Sequence, residues 1–326
     1  MKKFKGLALF LALMLIVFAV VGCAPKKELD ENLKVEDIDS QGKDVGEEAK
    51  AFPVEIEDSF GNKVTIEEEP MKIVSLAPNN TEVLFALGLG DKVVGVTSYC
   101  DYPEEAKTKE VVGDFQGNNL EKIIELEPDL VLIYGSGNEE ENKVLNDAGI
   151  KVLGFMPETI ESVMKDIETV GKAAGKSKEA AEIIQAMNNK KEEIINKVKG
   201  QEEVKVFYEI WHDPLMAAGK GSFMDELIAL AGGKNIAEDA EGAYPQYDLE
   251  QLVERDPEIY LAAQDMPDKT VESIKARPGF DSISAIKNDR VYVFEGNEAN
   301  LVSRPGPRII ETLEVIAKAI HPELFK

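Results

Sequence analysis

A short pattern in the first half of this chain returns in the second. Asn119-Leu120-Glu121, followed by Ile123, Ile124, Glu125, Pro128 and Leu130, recurs 129 residues later as Asp248-Leu249-Glu250 with Leu252, Val253, Glu254, Pro257 and Ile259. Each copy reads as a capping residue, a short amphipathic helix, a proline stop and a strand. An echo at that spacing in a chain of 326 residues constrains the fold to two halves of like build.

Between the halves lies the stretch from Ser177 to Gly200. Ala180, Ile183, Ile184 and Met187, then Ile194, Ile195 and Val198, fall at helical spacing, whereas Asn188 to Glu193 offers no apolar face. Ser177 is the expected N-cap and Gly200 the close. At about 1.5 Å per residue the stretch spans roughly 35 Å, enough to bridge two domains. Each apolar end is expected to pack on a different body while the bare middle crosses between them. A surface helix with a polar kink is the competing reading.

Strands alternate with helices on both sides of this bridge. Val54 to Asp58 and Lys63 to Glu67 read as a hairpin around Ser59 to Asn62. Ile73 to Ala77, Val93 to Thr97, Leu130 to Tyr134 and Val152 to Phe155 read as strands, with a helix from Thr81 to Leu87 capped by Asn79 or Asn80 and others from Leu120 to Leu126, Glu139 to Ala148 and Thr159 to Ala174. Beyond the bridge, Val204 to Ile210, Ile259 to Ala262 and Val291 to Phe294 are expected strands; Phe223 to Ala231, Leu249 to Arg255 and Pro307 to Ile320 are expected helices. Alternation at this spacing predicts an α/β fold, two lobes with parallel sheets joined by a single long helix, with a ligand cleft between the lobes.

The first residues set the location. Lys2, Lys3 and Lys5 precede an apolar run from Leu7 to Val21, and Val20-Val21-Gly22-Cys23 has the form of a lipobox. Residues 1–22 therefore read as a lipoprotein signal peptide, with Cys23 as the lipidated residue; an uncleaved anchor is the alternative. Residues 23–52 read as the lipidated cysteine with a charged tether, whose reach as a coil is about 30 Å. Residues 53–157 form the expected N-terminal lobe with its hairpin, 158–200 the helical connection and 201–326 the C-terminal lobe. Loss of the three leader lysines takes the formal charge from −25 to −28, which argues against nucleic acid and anionic lipid as partners. With Cys23 lipidated, Cys100 is the one remaining thiol, so no intramolecular disulfide is expected.

The aromatic residues point to binding. Tyr99, Tyr134 and Trp211 stand at or just past the C-terminal ends of expected strands, and Phe115 and Tyr244 in loops at the same edge. In open α/β sheets ligands bind outside those strand ends, so two facing lobes would line a cleft with aromatic surface. Motifs for catalysis are missing: there is no H-E-x-x-H or G-x-S-x-G, and Gly219-Lys220-Gly221-Ser222 lacks the phosphate-loop spacing. His212 and His321 do not make a zinc site, and His321 suits the C-terminal end of a helix. No enzyme activity, metal or bound cofactor is expected.

Ile73-Val74-Ser75-Leu76-Ala77-Pro78 with Thr81-Glu82, Ser98-Tyr99-Cys100-Asp101-Tyr102-Pro103, Gly232-Gly233-Lys234-Asn235-Ile236 and Arg304-Pro305-Gly306-Pro307-Arg308-Ile309 resemble the iron/cobalamin class of substrate-binding proteins of ABC importers, over residues 72–326. The resemblance is nearest to the cobalamin-binding members. It implies a monomeric receptor, lipid-anchored on the extracytoplasmic face of the cell membrane, that passes a corrinoid to an ABC permease and its ATPase. It further implies that Tyr99, Phe115, Tyr134 and Tyr244 contact the ligand, that Arg304 reaches its polar periphery, and that Glu121 and Glu250 dock on the permease. Phe115, Tyr134 and Tyr244 stand where tryptophans are expected in such binders, and Asn300 where an aspartate is. Ferric siderophore or haem is the alternative cargo within the class; an extracellular hydrolase or a plain spacer lipoprotein is the alternative outside it.

Overall fold

Why the pattern repeats is visible in the backbone. The protein, seen here in a computed structural model, is described for residues 52–114 and 116–326; the leader, Cys23, the tether to Ala51, and Phe115 lie outside the described residues. In the first half, β1 (Val54–Glu57) and β2 (Lys63–Ile66) form the expected antiparallel hairpin. Asp58 closes it, one carboxylate oxygen accepting from the Phe60 and Asn62 amides and the other from the Gly154 amide, so the turn is fixed to the sheet behind it.

That sheet comprises β3 (Ile73–Ser75), β4 (Val93–Thr97), β5 (Glu110–Asp114), β6 (Gly117–Asn118), β7 (Leu130–Tyr134) and β8 (Lys151–Phe155), in the order β6-β5-β4-β3-β7-β8. All pairs are parallel except β5 with β6. Helices α1 (Pro78–Ala86), α2 (Leu120–Glu125) and α3 (Glu139–Asp147) connect them, followed by α4 (Ile160–Ala173), which opens on a Thr159–Ser162 capping box. Neither Asn79 nor Asn80 caps α1. Pro78 occupies its first turn, where a missing N–H is harmless, so the helix starts earlier and both asparagines are buried inside it, Asn80 donating to the Ile133 carbonyl at 3.0 Å.

The bridging helix is α5 (Ser177–Val198). Its N-cap is Lys176, and Ser177 falls inside the helix without a capping bond. Its buried residues are Ala180 and Met187, then Ile194 and Val198, with none between. Ala180 presses on Gly171 of α4, so closely that a Cβ on that glycine would lie 2.6 Å from it. At the other end Lys197 stands over the Phe325 ring at 4.8 Å. The two ends therefore rest on different halves, as the interrupted stripe predicts.

The second sheet has β9 (Val204–His212) beside β12 (Ile259–Ala263) and then β13 (Val291–Phe294), all parallel; β10 (Leu215–Ala217) and β11 (Gly233–Asn235) share the other edge of β9. The β9–β10 pair is antiparallel, so each sheet carries one reversed edge and neither is purely parallel. Helices α6 (Phe223–Leu230), α7 (Leu249–Arg255), α8 (Val271–Lys275), α9 (Ser284–Lys287), α10 (Asn297–Ser303) and α11 (Ile309–Ile320) complete it.

The duplicated unit extends beyond the sequence match. Glu127 and Asp256, each just before its proline, both have positive φ, 50° and 47°, an uncommon backbone for residues with side chains. Ile73 pairs with Leu130 and Val206 with Ile259, and the lysine one residue before each, Lys72 and Lys205, reaches the C-terminal end of the duplicated helix, Lys72 to the Leu126 carbonyl and Lys205 to the Arg255 carbonyl, both at 3.1 Å. One difference marks the copies: Asn119 caps α2 through its side chain, whereas Asp248 makes no such bond to α7. The largest apolar cluster runs from Ile73 and Leu132 through Ile167, Met187 and Ile194 to Leu227 and Leu313, so α4, α5 and α11 join the halves through a shared core.

Candidate functional site

Parallel strands in register end together, and their ends build the site. β3 stops at Ser75 opposite Val96 and Leu132, which leaves Leu76 to Pro78, Tyr99 and Tyr134 along one edge. A cavity of about 430 Å³ opens there, with Tyr99, Tyr134, Thr97 and Asp114 from the first half and Ser303 and Arg304 from the second on its wall. Tyr99 and Tyr134 are 44% and 49% exposed, unusual for rings of that size in a core-forming fold.

Tyr244 approaches from the loop ahead of α7 and is 46% exposed. Burial pushes its phenol above the ordinary range, and nearby Tyr134 and Glu158 add to the shift; burial and then Glu158 do the same to Tyr134. The two phenols thus feel each other's charge or that of one carboxylate, and both hold their protons more tightly than a free tyrosine. Glu158 is exposed, its charge reaches both phenols, and the sequence reading did not single it out. It lies just past β8, where the strand-end rule that found the tyrosines also applies.

Trp211 is placed differently. β9 runs two residues beyond its expected end, and Trp211 pairs within it against Met216 of β10, with its indole N–H donating to the Asp213 carbonyl at 2.8 Å. It is not on the wall of the 430 Å³ cavity. Phe115 follows the cavity residue Asp114 but is itself outside the described residues. Glu121 and Glu250 are exposed in the first turns of α2 and α7, at matching places in the two copies. Cys100 is buried, its thiol beside the Thr81 and Thr97 hydroxyls at 3.1 and 3.2 Å. Among the described residues no cluster of His, Cys, Asp or Glu could hold a metal ion, and no helix is long and apolar enough to cross a membrane.

Arg304 is bound on arrival. One terminal nitrogen donates to Asp101 at 2.5 Å and the other to the Tyr99 carbonyl at 3.4 Å, while Asn300 donates to the second Asp101 oxygen at 2.9 Å. Burial works against the Asp101 charge, but the hydrogen bond and charge of Arg304 outweigh it and hold the carboxyl below the ordinary range. Next to this pair, Arg308 clasps the buried Glu82 of α1 with two bonds and lies 3.6 Å over the Tyr102 ring. A second charge cluster lies within the C-terminal half: Glu209 of β9 is buried against Arg277 and the Tyr260 hydroxyl, with Lys269 at 3.2 Å. Neither cluster has a local signature, because its members lie far apart in the sequence.

Two α/β halves with an aromatic cavity at their strand ends form the frame of a solute receptor, and the chain belongs to the periplasmic binding protein family, whose pattern matches residues 73–297. It is 38% identical over 335 residues, all of both chains, to the ABC transporter substrate-binding lipoprotein YvrC of Bacillus subtilis (strain 168). A possible iron-binding (periplasmic solute-binding) protein from Staphylococcus epidermidis ATCC 12228 superposes with a TM-score of 0.69 at 31% identity, over 78% of this chain and 100% of that one. The periplasmic vitamin B12 binding protein BtuF of Vibrio cholerae superposes with a TM-score of 0.65 at 27% identity, over 78% and 97%. The protein is thus a substrate-binding protein of an ABC transporter, of the class that serves vitamin B12 and iron chelates. Members of this family bind solutes for transport and work with a permease and its ATPase.

Proposed function

We infer that the protein captures cobalamin or a related corrinoid outside the cytoplasm and delivers it to its permease, held to the membrane by lipid on Cys23. The observation that carries this reading is the cleft: Tyr99 and Tyr134 expose flat rings on the cavity wall, beside the Thr97 and Ser303 hydroxyls, the Asn79 amide and the apolar Leu76, Ala77 and Pro78, and Tyr244 is exposed within electrostatic reach of Tyr134. Flat rings match a macrocycle, and hydroxyls match its carboxamide rim. The tyrosines favour a corrinoid over direct iron ligation. A ferric ion asks for phenolate, and burial beside Glu158 makes the Tyr134 and Tyr244 phenols harder to ionise.

Glu121 and Glu250 are the proposed docking pair, exposed and matched across the two copies. An iron chelate is the second reading, favoured by the likeness to the Staphylococcus epidermidis protein. Titrating the purified protein with cyanocobalamin, haem and ferric siderophores separates the two. Tight, saturable binding of cyanocobalamin alone supports the corrinoid; binding of an iron chelate without cyanocobalamin replaces it.

A further inference from the structure

Arg304 is the one basic side chain on the wall of the 430 Å³ cavity among the described residues, and Asp101 takes it up. The carboxylate is gripped from a single helix face: Asn300 and Arg304 are one turn apart on and just after α10, and each occupies one of its oxygens. Asp101 itself is not on the cavity wall; it acts from behind, drawing the guanidinium toward the first half, where the Tyr99 carbonyl accepts a second bond. Glu82, 3.8 Å from Arg304, is already bound by Arg308. Two arginines and two carboxylates therefore balance, and the cavity is left with Asp114 as its other charged wall residue.

We propose that Asp101 sets the charge class of the cargo: by holding Arg304 it denies anionic ligands a cation and leaves the cleft selective for molecules whose rim is uncharged, such as carboxamides and hydroxyls. This deepens the cleft reading above and rests on it. A haem with two propionates, or a trianionic ferric tris-catecholate, would bring negative charge to a wall that already carries Asp114 and has Glu158 nearby. Without the Asp101 charge, Arg304 becomes a net cation facing the cavity, with a fork suited to carboxylate oxygens. Asp101 is a positioning residue in this scheme, because it touches Arg304 and not the ligand.

The test compares the full-length protein in detergent with Asp101→Asn and Asp101→Glu, using haem and a ferric tris-catecholate as anionic probes and cyanocobalamin and a neutral ferric tris-hydroxamate as uncharged ones. Asp101→Asn should tighten at least one anionic probe about tenfold relative to the uncharged ones, and the gain should shrink in high salt. Asp101→Glu keeps the charge and should behave like the parent. Adding Arg304→Gln to Asp101→Asn should abolish the gain. A merely structural tie would weaken all probes together, and that result, or no change in the ratio for a variant that melts like the parent, overturns the proposal. Failure of the parent to bind cyanocobalamin would instead defeat the corrinoid reading, and the anionic-to-neutral ratio on the iron chelates would still decide the role of Asp101.

Discussion

Arg308 and Glu82 are 226 residues apart and meet as a two-pronged ion pair, at 2.8 and 2.7 Å, with both side chains nearly out of water. Glu82 belongs to the first helix of the N-terminal half and Arg308 to the turn ahead of the last helix, so the pair ties the halves on one side of the cleft. Removing one partner strands a buried charge, which typically destabilises by about 3 to 5 kcal/mol. Arg308→Met and Glu82→Gln should each lower the urea midpoint accordingly, and the double variant should lose much less than the two losses added. Additive losses in that cycle would mean the two groups do not interact.

Asp166 gives the protein a pH dependence in the neutral range. Burial lifts its carboxyl to about 7, against the Ser59 hydrogen bond and the Lys165 charge, and its second oxygen has no hydrogen-bond partner among the described residues. Unfolded, the same group ionises near 3.9 or so. Between about pH 4 and 7 the folded state therefore holds the extra proton, and stability falls as pH rises, by up to about 1.4 kcal/mol per unit; above 7 the contribution is flat. Asp166→Asn should remove that slope and be the more stable form at pH 8. Parallel stability profiles for parent and variant from pH 5 to 8 would contradict this.

Tyr134 and Tyr244 should carry a large share of ligand affinity. Aromatic contacts add about 0.5 to 1.5 kcal/mol each beyond burial, so replacing both with alanine should weaken corrinoid binding about tenfold to a hundredfold. Calorimetry on the double variant measures it, with Trp211, the single tryptophan of the chain, as an optical check on binding. An affinity within twofold of the parent would remove these rings from the site.

Glu121 and Glu250 should matter to transport and not to capture. Exposed pairs contribute about 0 to 1 kcal/mol, but charges desolvated at an interface couple by about 1.5 to 7 kcal/mol. Charge reversal at both positions should abolish uptake in cells while ligand affinity of the purified protein stays the same. Normal uptake would dismiss the docking assignment.

Cys23 should decide where the protein resides. A single acyl chain gives only marginal membrane binding, and the two or three of a mature lipoprotein exceed that limit. Cys23→Ala should therefore leave the membrane fraction on cell fractionation; retention after leader cleavage would show another anchor.

Parts of the fold whose causes are local were legible in the sequence. Helical spacing, Asn119 as a cap and prolines as stops located most of the long helices and strands, because each signal acts within about a turn of helix or a strand length. The repeat disclosed two like halves, and Tyr99 and Tyr134 could be placed at strand ends, and Tyr244 in a loop, without coordinates. What it misread, Asn79 and Asn80 as caps and Ser177 as a cap, were local competitions in which Pro78 or Lys176 took the terminal position. The short strands β5, β6, β10 and β11 escaped because two to five residues are too few to show a reliable alternation. The folded chain had to be seen to learn that Arg304 meets Asp101, that Arg308 meets Glu82, that Glu209 meets Arg277 and Tyr260, and that Asp166 is buried with one oxygen unpaired among the described residues. Those encounters depend on which strand lies beside which and on how two halves close over a shared core, and no spacing within one segment encodes the distance between side chains that the chain brings together from opposite ends.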